Sequence, residues 1–336
     1  MPQLPTRKIG NDDVTAIGFG LMGLSVFYGA VEGDEERMKV LDAAFNLRCT
    51  NWDTSDFYGD NEDLLCKWFK KTGNRNKIFL ATKFGLTGTG MNGSPEYVKS
   101  SVEKALKRMN IDHIDLLYVH SIDPTVPIEK TISAMADFVK QGKVRYLGLC
   151  EVGVSTLRRA HAVHPISAVQ IEHSLISLET EPQKTELLNA CRELGITIVA
   201  YSPTGRGMLS GAYKSHDDIP KDDFRSSIPK FGPDNFHHVL NLSNALAEVG
   251  KKHNATPTQI ALAWLLADAD DVIPIPGTKK IKYLEENLGA LNIKLDPKEV
   301  EEIRDLAKRA DDGKSRYPEW VMPSLWRDTI ELEQST

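Results

Sequence analysis

Four side chains that can hold or transfer protons follow predicted β-strands in the first part of the chain. Asp53 ends a short apolar run, Tyr58 lies on the loop behind it, and Lys83 and His120 end the next two predicted strands. The carboxyl ends of parallel strands in β/α proteins face one crevice, so these four side chains are expected to meet there. Each of them, taken alone, would be an ordinary solvated loop residue. Their order on consecutive strands instead favours a site for proton transfer.

The elements that must position these residues alternate along most of the chain. Eight predicted strands interleaved with helices predict a (β/α)8 barrel. Residues 6–9 and 14–17 flank a turn and predict an N-terminal hairpin. Residues 204–236 are too long for an ordinary βα loop, which indicates either a top-face loop over the site or a disordered insertion. The predicted strands are 16–20, 51–53, 78–82, 114–119, 144–149, 168–171, 196–201 and 272–275, and the predicted helices are 35–46, 60–71, 95–109, 127–141, 155–163, 182–194, one from 239, 258–266, 280–291 and 297–310. We expect one domain over residues 1–336, with the barrel at about 5–310 and a C-terminal tail at 311–336.

The composition excludes several other classes of protein. The net charge is −6, from 41 basic and 47 acidic residues, and the absence of a basic stripe argues against nucleic-acid binding. No apolar run reaches membrane-spanning length, and no signal sequence begins the chain. Four scattered cysteines without a C-x-x-C pair indicate a reduced, cytoplasmic protein. The histidine pairs have no further ligands at metal-site spacing, so no metal is expected. Oligomeric state stays open at this level.

One glycine pattern offers an alternative fold. Residues 18–23 match G-x-G-x-x-G, the pattern of a dinucleotide-binding Rossmann unit. That unit requires a helix at the third glycine, but the next predicted helix begins only near Asp34. The same pattern recurs at residues 88–93, which shows how little it discriminates. A strand end followed by a glycine loop is the better interpretation.

The motif Asp-Thr-x-x-x-Tyr-Gly at residues 53–59, followed by Lys83 and His120, resembles the active-site signature of the aldo-keto reductases. The resemblance extends over nearly the whole chain. It implies a barrel whose hairpin caps the bottom and a site that reduces aldehydes or ketones to alcohols. It assigns Tyr58 as the general acid and His120 as the residue that orients the substrate oxygen. It also implies that Asp53 holds the Lys83 ammonium, which would lower the tyrosine pKa from about 10.

The resemblance further implies NADPH as cofactor. Gln170 would hold the nicotinamide amide, and Tyr201 would stack on the ring. Residues 273–280 resemble the family's phosphate loop and precede a helix whose first N–H groups can bind phosphate, and the lysines of this loop, with Lys282, can meet a 2′-phosphate. Cys150 stands where many members carry serine, and Arg48 where relatives often carry glycine. The implied cofactor contacts are Gly20, Leu21, Met22, Asp53, Cys150, Glu151, Gln170, Tyr201, Ser202, Pro203, Gly205, Gly207, Ile275, Gly277, Thr278, Lys279, Lys280, Glu286 and Asn287.

The aromatic residues and the same resemblance indicate a class of substrate and two alternative functions. Phe27, Tyr28 and Phe224, with Tyr58 and His120, are the implied substrate contacts, and their rings favour an apolar or aromatic carbonyl compound. The subgroup most similar to this chain lies near the potassium-channel β subunits, so an NADPH-binding regulatory subunit with little turnover is the alternative. A glycosidase barrel would use two strand-end carboxylates, as at Asp53 and Glu172, but it leaves Lys83 without a role.

Overall fold

Strands and helices alternate from Phe19 to Ala310 in the computed structural model, which describes residues 3–178, 186–311 and 313–333. The strands are β1 (Thr6–Ile9), β2 (Asp12–Thr15), β3 (Phe19–Gly20), β4 (Asn51–Asp53), β5 (Phe79–Phe84), β6 (Leu86–Thr87), β7 (Gly90–Met91), β8 (Ile114–Val119), β9 (Val144–Cys150), β10 (Ile166–Glu172), β11 (Thr197–Tyr201) and β12 (Val272–Pro274). The α-helices are α1 (Asp34–Asn46), α2 (Asn61–Thr72), α3 (Pro95–Met109), α4 (Ile128–Lys140), α5 (Val154–Val163), α6 (Leu187–Glu193), α7 (Phe236–His253), α8 (Pro257–Asp268), α9 (Ile281–Gly289) and α10 (Pro297–Ala310).

The parallel sheet closes on itself. Strands β3, β4, β5 and β8 to β12 lie side by side in chain order. The first and last strands then meet through the N–H groups of Gly18 and Gly20, which donate to the carbonyls of Pro274 at 2.9 Å and Pro276 at 3.3 Å. A Cβ atom at Gly20 would lie 2.7 Å from the carbonyl oxygen of Ile275, so this closure requires glycine. The predicted (β/α)8 barrel is confirmed.

The predicted hairpin is also present and fills the bottom of the barrel. Strands β1 and β2 pair antiparallel around Gly10, whose φ of +57° suits glycine. Ile9 and Val14 of this hairpin belong to a buried apolar cluster with Leu116 and Val199 from the barrel strands. Apolar side chains therefore occupy the lower interior, and the polar interior side chains lie above them. A second, larger cluster packs the sheet against the helices.

Local sequence signals explain the helix boundaries. Ser94 caps α3, because its hydroxyl accepts a hydrogen bond from the Tyr97 N–H and Pro95 takes the first helical position. Helix α7 begins three residues before the predicted start at residue 239. Helix α6 begins at Leu187, and the predicted start at 182 lies outside the described residues. Arg48, at the position where the resemblance led us to expect glycine, adopts a left-handed φ of 64°.

Two segments cover the top of the barrel. Between β11 and α7 the chain forms four short 3-10 turns, which bury Leu209, Ile228 and Phe231. The C-terminal segment 313–333 returns to the barrel, where the Gly153 N–H donates to the carbonyl of Arg327 at 2.8 Å. Within the described parts of the chain, no helix combines the length and apolar character that a membrane crossing requires.

Candidate active site

The buried Lys83 contacts three residues of the predicted motif, Asp53, Thr54 and Tyr58. The Lys83 ammonium forms an ion pair with Asp53 and donates to the carbonyl of Thr54 at 2.8 Å and to the Tyr58 hydroxyl at 3.3 Å. Strand β5 positions the lysine, and β4 ends at Asp53 beside it. Lys83 is 1% exposed, so its charge is compensated by these partners and not by water. The side chains that the sequence predicted to converge do so.

Burial sets the protonation states of this cluster. It raises the pKa of Tyr58 to about 12, although the positive charge of Lys83 acts in the opposite direction. Burial also lowers the pKa of His120 to about 3, with Lys83 adding to the effect. Burial disfavours the Lys83 ammonium, but the charges of Asp53 and Tyr58 outweigh it and raise the pKa of Lys83. At neutral pH Tyr58 keeps its proton, His120 is neutral and Lys83 is charged.

The predicted lowering of the Tyr58 pKa is therefore wrong. The sequence places an ammonium near the phenol, and this contact is present. It does not reveal that the hydroxyl is removed from water, which favours the neutral phenol more strongly than Lys83 favours the phenolate. The structure thus gives Tyr58 a proton to donate and a cation beside it.

His120 faces Tyr58 from the end of β8. The two rings are 5.6 Å apart between centroids and almost perpendicular, at 86°. The backbone N–H of His120 donates to the Phe84 carbonyl at 2.7 Å, and the ring nitrogen Nδ1 lies 3.1 Å from Ser55 Oγ. Because Nδ1 contacts Ser55, Nε2 is the nitrogen left for a substrate oxygen. The sequence motif contained Ser55 but gave no signal for this contact.

Gln170 and Cys150 lie beside the same cluster. The Gln170 amide donates to Asp53 Oδ2 at 2.8 Å, and both side chains are buried. Asp53 therefore binds an ammonium with one oxygen and an amide with the other. Burial raises the pKa of the Cys150 thiol, with Lys83 opposing, so the thiol stays protonated. Gln170 was predicted to hold the nicotinamide amide, and it lies in the barrel interior at the level of the catalytic candidates.

A second buried charged cluster lies at the ends of β9, β10 and β11. Arg316 contacts Glu151 through two bonds, at 2.8 and 3.0 Å, and contacts Glu172 at 3.1 Å. Arg206 donates to Glu172 at 2.8 Å, and the Tyr201 hydroxyl donates to Glu151 at 2.7 Å. Arg316 is only 2% exposed. Two cations thus balance two carboxylates, and Tyr201, the predicted stacking residue, is bonded to this cluster.

The loop after β3 and the loop after β11 contain the next predicted cofactor contacts. The Leu21 N–H donates to the Asp53 carbonyl at 2.9 Å, which ties the residues after β3 to the catalytic cluster. A 3-10 turn follows directly and contains Met22. After β11, Ser202 has a φ of 50° and its carbonyl accepts from the Gly205 N–H at 2.9 Å. The remaining predicted residues of that turn, Pro203 and Gly207, lie in the same tight loop.

The predicted phosphate loop follows β12 and leads into α9. The Lys280 N–H donates to Thr278 Oγ1 at 3.1 Å, and helix α9 begins at Ile281. Its first backbone N–H groups point out of the helix, which is the usual geometry of an anion site. Lys279 instead reaches across the loop and donates to the carbonyls of Tyr28 and Ala30, at 2.9 and 2.8 Å. Ile275 and Gly277 lie in this loop beside β3.

The predicted adenine contacts lie further along α9. Glu286 accepts a hydrogen bond from Thr256 at 2.6 Å, which links α9 to the N-terminal cap of α8. Asn287 is buried on the same helix. Both residues follow the phosphate loop on one helix, as the sequence indicates. Glu286 already has a partner in this structure, so a contact with adenine would share or replace that bond.

Phe27, Tyr28 and Phe224, three of the predicted substrate contacts, form an aromatic edge on two loops. Phe27 and Phe224 contact edge to face with centroids 6.4 Å apart, and Arg225 lies over the Tyr28 ring at 5.1 Å. Phe27 and Tyr28 adopt left-handed backbone angles of 58° and 51°. The loop after β3 and the long loop after β11 therefore meet, as expected of top-face loops. Within the described residues, no group of three or more His, Cys, Asp or Glu is placed to hold a metal.

Three residues of this site were not predicted from the sequence. Arg206 lies between the predicted cofactor contacts Gly205 and Gly207 but was given no role, while Arg316 and Tyr317 lie in the predicted tail. The Tyr317 hydroxyl is 3.0 Å from that of Tyr201, and the Arg206 guanidinium lies 4.4 Å from the Tyr317 ring centre. An arginine beside a tyrosine in a charged tail gives no periodic signal, so composition alone could not place them.

The fold and the site together define a (β/α)8 barrel with a buried Asp–Lys–Tyr set and a neutral histidine at its carboxyl end. The model of the Aldo/keto reductase family matches residues 16–308. An aldo-keto reductase of Strobilurus tenacellus, str7, is 56% identical over 98% of this chain and 99% of its own length. "Aldo-keto reductase yakc [NADP(+)]" of Schizosaccharomyces pombe is 49% identical over 97% and 98%. The protein therefore belongs to the aldo/keto reductase family of oxidoreductases.

Solved structures agree with the architecture. A thermostable aldo-keto reductase in complex with the inhibitor epalrestat superposes with a TM-score of 0.72 at 29% identity, and covers 91% of this chain and 100% of its own. A glycerol dehydrogenase of Gluconobacter oxydans gives a TM-score of 0.80 at 21% identity, over 98% and 99% of the two chains. The second likeness concerns the fold alone.

Proposed function

We propose that this protein reduces aldehydes or ketones to alcohols, with NADPH as cofactor and Tyr58 as general acid. The observation that carries the proposal is the buried Lys83 ammonium, which contacts both Asp53 and the Tyr58 hydroxyl. A phenol with an ammonium behind it can give up a proton and have the resulting charge stabilised at once. The NADP(+) in the name of the fission-yeast relative supports the choice of cofactor.

The residues present fit a phosphorylated dinucleotide. The exposed Lys280 and Lys282 flank the start of α9, and the first backbone N–H groups of a helix can bind an anion. Gln170 and Tyr201 supply an amide and an aromatic ring at the ends of β10 and β11. NADPH, when bound, supplies the hydride for the carbonyl carbon. Glu286 and Asn287 on α9 would hold its adenine end.

The chain's own residues supply the proton. Tyr58 transfers its hydroxyl proton to the substrate oxygen, and the phenolate left behind is stabilised by Lys83. Asp53 keeps the ammonium in place with one carboxylate oxygen while Gln170 holds the other at 2.8 Å. His120 is neutral, because burial lowers its pKa to about 3, and it orients the substrate oxygen through Nε2. General-acid catalysis of this kind contributes roughly 10²- to 10⁴-fold in rate.

The substrate class follows from the aromatic edge. Phe27 is 46% exposed and contacts Phe224, whose ring lies 5.7 Å from the Arg206 guanidinium of the buried charged cluster. Aromatic rings beside a buried polar cluster favour a carbonyl compound with an apolar or aromatic body. Arg225 stacks on Tyr28 and is paired with Asp223 at 2.7 Å, so its charge is already compensated. We therefore propose neutral aromatic aldehydes as the first substrates to examine.

The test is NADPH oxidation with 4-nitrobenzaldehyde, followed at the cofactor absorbance and by isolation of the alcohol. Binding of NADPH is measured separately by fluorescence titration. Turnover with alcohol formation supports the reductase. Tight binding without turnover across a panel of aldehydes and ketones would support the rival function, a regulatory subunit that binds the cofactor. Absence of both binding and turnover would contradict both functions.

A further inference from the structure

We propose that Ser55 and Asp56 determine which ring nitrogen of His120 carries the proton. Asp56 would thereby decide whether His120 donates a hydrogen bond to the reacting oxygen or accepts one from it. The proposal rests on the function proposed above and assigns two positioning residues to it. Neither side chain touches the reacting atoms; both act through His120.

The contacts form a short chain behind the imidazole. Ser55 Oγ lies 3.1 Å from His120 Nδ1 and 3.3 Å from Asp56 Oδ1, and it accepts a hydrogen bond from the Phe57 N–H at 3.1 Å. Ser55 is 1% exposed, so water does not compete for its hydroxyl. A hydroxyl has one proton and two lone pairs. The Phe57 N–H uses one lone pair, which leaves one proton and one lone pair for His120 and Asp56. The hydroxyl can therefore donate to only one of these two neighbours and must accept from the other.

Two arrangements satisfy every group. When Asp56 is protonated, its carboxyl donates to Ser55 Oγ and the serine proton points to His120 Nδ1, so Nε2 carries the ring proton. When Asp56 is ionised, the serine proton points to the carboxylate and Ser55 Oγ accepts from Nδ1–H, so Nε2 is bare. The first arrangement donates to a carbonyl oxygen, which suits reduction. The second accepts from an alcohol hydroxyl, which suits oxidation.

The surroundings of Asp56 place this change near neutral pH. Burial raises the pKa of Asp56 to about 6, against the hydrogen bond from Ser55 and the charges of Lys104, Arg108 and Lys83. Glu62, 1% exposed on α2, faces the same region, and burial raises its pKa to about 7, with the charge of Asp56 adding. These groups come from α2, α3 and β5, the elements around Asp56. The donating form of His120 is therefore present below the Asp56 pKa and is lost as pH rises through it.

The direct test is ¹⁵N NMR of the histidine side chains in the intact protein between about pH 5 and about pH 8. His120 is assigned by the signals missing from a His120→Asn sample. We expect Nε2–H at the acid end and Nδ1–H at the basic end, with both forms neutral. A tautomer that does not change with pH would overturn the proposal without any substitution in the chain.

Two variants separate the parts of the chain of contacts. Asp56→Asn removes the titrating group, and we expect the tautomer to become independent of pH. Ser55→Ala breaks the link, and His120 should then no longer follow Asp56. Asp137→Asn is the control, because Asp137 is exposed on α4 and pairs with Lys140 at 3.0 Å, and its pH response should equal that of the unmodified protein. A tautomer change that persists in Asp56→Asn would contradict the proposal.

Kinetics give a readout that a merely structural role would not change. In single turnovers with saturating NADPH and aldehyde, where Tyr58 supplies the proton, the rate of reduction should fall at least about threefold from the acid to the basic end, and this fall should vanish in Asp56→Asn. The NMR result does not depend on turnover. If the tautomer changes as expected but the reductase assay fails, only the proposed function is contradicted. If the protein reduces aldehydes but the tautomer does not change with pH, only this inference is contradicted.

Discussion

Arg316 and Glu151 form a buried ion pair that ties the C-terminal segment to the end of β9. Arg316 Nη2 lies 2.8 Å from one carboxylate oxygen of Glu151, and Nη1 lies 3.0 Å from the other. The two residues are 165 positions apart in the chain. The Tyr201 hydroxyl shares the same carboxylate, so the tail and the proposed cofactor site depend on one pair of charges.

The first prediction concerns that pair. Arg316→Met removes the cation that contacts both Glu151 and Glu172 and leaves Arg206 beside Glu172, and removing one partner of a buried pair costs about 3 to 5 kcal/mol. Urea unfolding measures the loss of unfolding free energy. The KM for NADPH should rise, because Glu151, which accepts the hydrogen bond from Tyr201, is no longer held by Arg316. Arg158→Met is the control, since Arg158 and Glu193 form an exposed pair. Its cost should be about 1 kcal/mol or less. Equal costs for the two variants would contradict this assignment.

The second prediction concerns cofactor choice. Lys279 is held by the Tyr28 and Ala30 carbonyls, whereas Lys280 is exposed beside the start of α9. We expect a preference for NADPH over NADH of roughly ten- to a thousandfold, or about 1.4 to 4 kcal/mol. Lys280→Ala should reduce this preference, because the 2′-phosphate loses a charge-assisted partner. Lys279→Ala should weaken both cofactors alike, because it loosens the loop that contains Tyr28.

Steady-state kinetics with both cofactors at two ionic strengths measure this difference. A lysine acts as a point charge, so the preference should shrink as salt rises. Equal use of NADPH and NADH by the unmodified protein would contradict the assignment. So would a Lys280→Ala variant that keeps the whole preference.

The third prediction concerns stability against acid. Burial lowers the pKa of His120 to about 3 and that of His173 to about 4, below the usual value of 6.5. The unfolded chain therefore binds more protons than the folded one between these limits. The stability from keeping both rings neutral is present above pH 6.5 and is lost as pH falls toward the folded values. Each histidine should add about 1.4 kcal/mol per pH unit to the slope in this range.

Urea unfolding between about pH 4.5 and about pH 6.5 measures that slope. His120→Gln should lower it by one histidine's share, because glutamine does not titrate. His216→Gln is the control, since His216 is not fully buried and lies outside the site. An unchanged slope in His120→Gln would show that this ring is not held neutral by burial.

The sequence predicted the barrel and the convergence of the catalytic candidates for a physical reason. Asp53, Lys83 and His120 follow strands, and parallel strands bring their ends to one edge. The role of Arg316 was not predictable in this way, because its partners are 165 and 144 residues distant and no periodicity links them. The raised pKa of Tyr58 was also missed, because it depends on how deeply the hydroxyl is buried. The contact between Lys279 and the Tyr28 carbonyl depends on loop geometry that residue types do not reveal.

Tyr58→Phe is the most direct test of Tyr58 as the proton donor. Phenylalanine keeps the ring against His120 and removes only the hydroxyl that contacts Lys83 at 3.3 Å. Tyr146→Phe is the matched control, because Tyr146 Oη contacts the N-terminal hairpin through the Asn11 N–H. Single-turnover reduction of 4-nitrobenzaldehyde is measured alongside the Kd for NADPH. We predict a fall of at least about a hundredfold in Tyr58→Phe with an unchanged Kd, and normal rates in Tyr146→Phe. Near-normal reduction by Tyr58→Phe would contradict the account.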